Sequence, residues 1–180
     1  MQETLGEVQR GGGRWWDDPR LSLALMITTY VFAGIGIGIG IYFLTGSKYL
    51  EAARWSMLFM VGVVGILSML RHSIFWKSDT TRAGAMNEPF YIMELGFANG
   101  AMGVLAFFAF FGRWGVGSAV VLSLTYALYL FLALVLFVVR TIGKGVTGLR
   151  IFTISFWFLQ VAFLATFAIV AAVHFRLSPF

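Results

Sequence analysis

Apolar residues in this chain gather into five long runs separated by short polar stretches: Leu23–Leu44, Trp55–Trp76, Phe90–Phe111, Gly117–Val139 and Ile151–Val173. Each run is about 22 residues, which at 1.5 Å per residue reaches roughly 33 Å, enough to cross a ~30 Å hydrocarbon layer. In lipid the backbone must satisfy its own hydrogen bonds, so uncharged runs of this length predict helices. Spanning strands would alternate in polarity over ~10 residues, and these runs do not alternate. The pattern therefore predicts an all-α integral membrane bundle of five transmembrane helices over residues 21–180, preceded by a polar segment, residues 1–20. Arg71 and His72 interrupt the last third of the second run, which could end near Leu70 and leave Arg71–Trp76 along the interface. The first run follows about twenty polar residues, exceeds a ~7–15-residue signal core and lacks a small-x-small cleavage site, so it is expected to stay in the mature protein.

The polar stretches set the expected orientation. Arg10, Arg14, Arg20, Arg71, Lys77, Arg82, Arg140, Lys144 and Arg150 fall on one side; Lys48, Arg54, Arg113 and Arg176 fall on the other. By the excess of cations in cytoplasmic connections, the N-terminus is expected inside and the C-terminus outside an inner (cytoplasmic) membrane. Trp15, Trp16, Trp55, Trp76 and Trp114 sit at run ends, where amphipathic rings favour the headgroup layer. Gly112–Gly115 is the tightest connection and predicts an antiparallel hairpin of the third and fourth helices. Lys77–Pro89 is the longest, and its Asn87-Glu88-Pro89 reads as a helix start: a capping side chain, an acid at the positive dipole end and a first-turn proline. The glycine-rich start of the chain is expected to be disordered in isolation over its first dozen residues.

Composition agrees with lipid as the solvent: 59% of residues are hydrophobic and 12% charged, with mean hydropathy +0.86. A net charge of +5 could suggest nucleic acid, but the surplus cations flank the helices, where anionic lipid accounts for them, so no nucleic-acid partner is expected. The chain has no cysteine, which removes disulfides, thiolate metal sites and palmitoylation. Nineteen phenylalanines and eight methionines fit lipid contact and gap filling better than a pigment box.

Glycines mark the expected packing seams. Gly34 and Gly38 share one face of the first helix, and Gly36 and Gly40 share another about 200° away, so two neighbours could approach closely. One of those neighbours could belong to another chain. Gly96, Asn99, Gly100 and Gly103 share a face of the third helix. Asn99 lies near mid-membrane, about 17 Å past Glu88, with Gln160 and Tyr129 at similar depth. An Asn99–Gln160 or Asn99–Tyr129 hydrogen bond is expected, worth about 0.6–2 kcal/mol.

Arg71, His72 and Glu94 are the ionisable residues within the runs, all about 6–9 Å inside the same border. A charge this deep costs up to about 2.5–3.5 kcal/mol, so Arg71–Glu94 is the expected pair, with His72 beside it. Two roles remain open: a structural clamp, or a site for a proton, quinone or small ligand. His72 and His174 stand at opposite ends of the bundle and cannot flank one haem iron. His72 with Glu94 supplies too few ligands for a metal site, and no cofactor is assigned.

The stretch Glu88-Pro-Phe-Tyr-Ile-Met-Glu94-Leu-Gly96-Phe-Ala-Asn99-Gly-Ala-Met-Gly103 resembles the signature of a family of small bacterial membrane proteins of unknown function. That signature, Pro-Phe-x-x-Glu-[Leu/Val]-Gly-Phe-Ala-Asn-x-x-x-Gly, opens a central membrane helix, with a histidine near the end of the preceding one. Pro89 to Gly103 match it apart from one extra residue between Phe90 and Glu94, and His72 fits the histidine. The resemblance implies a compact polytopic fold with Glu94 and Asn99 as distinctive polar positions, and brings no activity. The leading expectation is an accessory or scaffolding subunit of a larger membrane complex, partnered by other subunits or by copies of itself. The alternative is a small transporter or a quinone- or ion-handling protein using Arg71, His72 and Glu94. A lipid-modifying enzyme is less expected, since only Glu94 and His72 offer an acid and a base.

Overall fold

A computed structural model describes residues 15–83, 89–144 and 147–177. Among these residues there is no strand, and five helices are long and apolar enough to cross a membrane. A short 3-10 turn, Trp15–Asp17, leads into α1, Pro19–Thr45. Asp18 caps α1 by accepting the Arg20 backbone N–H at 2.8 Å, and Pro19 occupies the first turn, where its missing N–H costs nothing. The second span, α2, covers Tyr49–Ile74. Then come a short helix α3, Trp76–Ala83, and three long ones: α4, Pro89–Phe111; α5, Val116–Lys144; and α6, Gly148–Leu177.

Four of the five spans run past the apolar runs because polar end residues continue the helical hydrogen bonding into the headgroup layer. The fifth extends furthest, over Gly148–Leu177. The second does not stop near Leu70: it continues through Arg71 and His72 to Ile74. The Lys77–Pro89 stretch is not simply a connection, since Trp76–Ala83 is helical. Asn87 and Glu88 lie outside the described residues, as does the glycine-rich start of the chain. The α4–α5 connection is as tight as expected, but α5 packs chiefly on α6, while α4 lies along α2.

Two segments of α2 are π-helical, Leu58–Val63 and Leu70–Ile74. A π turn closes i→i+5 hydrogen bonds, so it is wider than an α turn and rotates less per residue. That geometry lets consecutive side chains face one neighbour, and it matters at Arg71 and His72.

The core holds Met57, Met60, Tyr126, Leu164 and Phe167, all nearly inaccessible. Large apolar side chains such as Ile27, Phe108, Leu136 and Phe158 face outward instead. That is the arrangement expected of a bundle whose solvent is lipid.

The seams of α1 divide as the 3.6-residue period requires. A Cβ on Gly36 would stand 2.6 Å from Met60 Cγ, and one on Gly40 would enter the Phe167 ring. Gly34 and Gly38 have nothing within 4 Å of that position among the described residues. Gly96, Gly100 and Gly103 face α2, and the closest backbone approach is there: a Cβ on Gly65 would lie 2.6 Å from the Asn99 carbonyl oxygen.

Candidate functional site

The π turn at Leu70–Ile74 points Arg71 and His72 into the bundle together. Gly96 makes this possible, because a Cβ there would lie 3.0 Å from His72 Cβ and collide with Ser73. Asp79 on α3 meets both side chains. Its Oδ2 is 2.7 Å from His72 Nδ1, and its Oδ1 is 3.5 Å from Arg71 Nε. Arg71 Nη2 in turn stands 2.7 Å from His72 Nε2. Ser22 of α1 donates its hydroxyl to Asp79 Oδ1 at 2.5 Å, and its N–H to Ser78 Oγ at 2.9 Å. Ser78 donates to the Asp18 carbonyl, which ties the start of α1 to the same cluster.

Arg71 and Asp79 are 6% and 3% exposed. Burial pushes the Asp79 carboxyl up, but the His72 hydrogen bond, the Arg71 and His72 charges and the Ser22 hydroxyl outweigh it and hold the group well below the usual carboxylate range. Asp79 is thus an anion. A guanidinium offers only donors and an ionised carboxylate only acceptors. When His72 is neutral, that leaves Nδ1 to donate to Asp79 and Nε2 to accept from Arg71, the Nδ1–H tautomer.

Beside this cluster lies a cavity of about 40 Å³. Arg71, His72, Asn99, Tyr126, Tyr129 and Gln160 contribute to its wall. Asn99 is fixed on three sides: Tyr126 donates to its Oδ1 at 2.8 Å, and its Nδ2 donates to Tyr129 Oη at 2.8 Å and to the Leu95 carbonyl at 2.8 Å. Gln160 Nε2 donates to the Met60 carbonyl at 3.3 Å. The volume suits roughly one to three waters or a small ion. It is far below the ~300 Å³ that begins the range for drug-sized ligands.

Four of the five ligand candidates read from the sequence, Arg71, His72, Asn99 and Gln160, meet at this cavity. Glu94 does not. It is exposed on the outer face of α4, with no hydrogen bond or ion pair among the described residues, and Arg71 pairs with Asp79 instead. The physical reason is direction: Gly96, Asn99 and Gly100 occupy the inner face of α4, and Glu94 falls off that face. Of the two bonds expected of Asn99, the one to Tyr129 forms, while Gln160 turns to Met60. Sequence reasoning missed Asp79 and Ser22. The available signal was an acid seven and eight residues after His72 and Arg71, overlooked because Asp79 falls past the end of the apolar run.

A family of unknown function (DUF6790) matches residues 20–144. That range takes in Ser22, the Arg71–His72–Asp79 cluster, Asn99 and both tyrosines. The chain belongs to this family. No curated protein and no solved structure matches it. The DUF6790 match ends before Gln160, so the α6 wall of the cavity lies outside it.

Proposed function

We propose that this protein handles protons, or a small solute moved with them, across the membrane, with His72 as the proton-bearing group and the adjoining cavity as a water-filled chamber. The observation that carries the reading is the buried Arg71–His72–Asp79 cluster opening onto a cavity whose wall includes Asn99, Tyr126, Tyr129 and Gln160, inside an apolar bundle. A clamp alone would not need it, because apolar packing of similar volume holds helices as well as a buried ion pair or better. Ionisable groups at such depth are otherwise expensive. A neutral imidazole beside a fixed carboxylate has one nitrogen free to take and return a proton once its cap is lifted.

Reconstitution into liposomes with an internal pH dye tests this. Under an imposed potential, proton flux should exceed that of empty vesicles, fall to background with His72→Gln, and survive Glu94→Gln. Background flux from the folded wild-type protein would overturn the reading.

A second reading, an accessory or scaffolding subunit of a larger complex, is favoured by the open Gly34–Gly38 face of α1, where another helix backbone could approach. Purification in mild detergent would then retain a stoichiometric partner. Recovery of a lone monodisperse monomer would argue against it. In either reading the cation distribution supports an inner-membrane protein with its N-terminus cytoplasmic.

A further inference from the structure

Arg71 stands on the nitrogen that a proton-handling histidine must use. Its Nη2 is 2.7 Å from His72 Nε2, while Nδ1 is committed to Asp79 at 2.7 Å. We propose that Arg71 is a two-position gate: it caps Nε2 when His72 is neutral, and moves into the adjoining cavity, onto Tyr129 and Gln160, when Nε2 is protonated. This rests on the proton-handling reading and adds to it the part that controls access.

A guanidinium has no acceptor and keeps its proton at any physiological pH. Adding a proton at Nε2 therefore sets N–H against N–H and cation against cation, and one of the two groups must leave. The imidazolium gains strength in its bond to Asp79, so it stays. Arg71 and His72 both line the cavity, and Arg71, with the longer and more flexible side chain, is the one that can swing into it.

The cavity offers it a seat. Tyr129 Oη accepts from Asn99 Nδ2 and keeps a second lone pair. Gln160 uses its Nε2 on Met60, and no hydrogen bond engages its Oε1 among the described residues. The Tyr126 and Tyr129 rings also line the cavity, where an aromatic neighbour can favour a guanidinium. Arg71 and His72 also share a π turn, a form set within an otherwise α-helical span and able to relax toward it.

The chemical step balances simply. A hydronium in the cavity gives its proton to Nε2 and becomes water; one N–H bond forms, and no electrons change hands. Among the described residues, the titratable groups around His72 are Arg71 on its own helix, Asp79 on α3, Tyr30 on α1, and Tyr126 and Tyr129 on α5. Glu94 of α4 faces outward, and α6 brings only Trp157 and Gln160 to the cavity.

The chain has two histidines, so His174→Gln leaves one imidazole to observe. In lipid nanodiscs, nitrogen-15 NMR of that protein should show the Nδ1–H tautomer at high pH. Tyr129→Phe should lower the His72 midpoint by about one pH unit, the loss of one hydrogen bond to the displaced cation. With Arg71→Met in place, Tyr129→Phe should no longer move it. An Nε2–H tautomer, an unmoved midpoint, or a Tyr129 effect that persists without Arg71 would each overturn the gate. An unmoved midpoint in Tyr129→Phe overturns the gate even if Arg71→Met does not fold. Liposome flux judges the underlying reading separately: coupling without flux retires proton transport and keeps the gate, and flux without coupling retires the gate alone.

Discussion

Asp79 is the residue on which the buried cluster turns, because it answers Arg71, His72 and Ser22 at once. Replacing it with Asn would leave the Arg71 cation buried without its counter-charge. Breaking a buried pair from one side costs about 3–5 kcal/mol. Asp79→Asn should therefore lower unfolding stability in detergent by that order, whereas Glu94→Gln, on an exposed face, should change it by less than ~0.5 kcal/mol. Equal effects would show that Asp79 is not the partner of Arg71. The pH dependence has a definite sign. Asp79 is held below its ordinary range in the fold, so its contribution is complete above the unfolded carboxylate pKa of about 3.9 and is lost as pH falls below it. The stability this group contributes should therefore stay constant between neutral pH and about pH 5, and decline in stronger acid. The sequence made Arg71 and His72 legible as buried ionisable groups, since charge inside an apolar run is rare. Their partner was not legible, because which acid an arginine reaches depends on the turn of the helix that carries it.

At the level of elements, the glycines were readable and the π turns were not. A 3.6-residue period assigns Gly34 with Gly38, and Gly36 with Gly40, to separate faces from spacing alone. Nothing in Leu58–Val63 or Leu70–Ile74 distinguishes an i→i+5 turn from an α turn, since packing against α4 selects it. Two substitutions separate a filled seam from an open one. Gly65→Val would drive a side chain into the Asn99 carbonyl on α4, an overpacking that costs about 1–3 kcal/mol or more where backbone must move. It should also disturb Asn99 and hence its tyrosine bonds, which a tyrosine fluorescence or ultraviolet difference spectrum would register. A Cβ on Gly38 would meet nothing within 4 Å among the described residues, so Gly38→Val should leave the unfolding midpoint nearly unchanged. If the open face docks a second helix, the same substitution should dissociate the complex on native electrophoresis. A destabilised monomer would instead mean that this face is already filled from within.

Across the whole molecule, the five spans among the described residues put Trp15 and His174 at opposite ends of the bundle, and two aromatic contacts mark this. Trp15 lies 6.4 Å from Phe75, at the end of α2, while His174 lies 4.5 Å from Tyr49, at its start. The bundle axis was legible in the sequence because five runs of bilayer length leave no other arrangement. Its direction in the membrane rests on the cations, nine of which the order of runs in the sequence assigns to the Trp15 side. The same end carries Asp79 and the buried cluster, so orientation also says which compartment lies nearer His72. The absence of native cysteine makes the test direct. Thr4→Cys and Ser178→Cys can each be treated, in intact cells and in inverted vesicles, with a maleimide that does not cross lipid. Thr4→Cys should react only in inverted vesicles and Ser178→Cys only in intact cells. Reaction of both from one face would contradict the five-span arrangement. A clean reversal of the two would keep the spans and place the His72 cavity nearer the outer compartment, so that any proton it takes up would come from outside the cell.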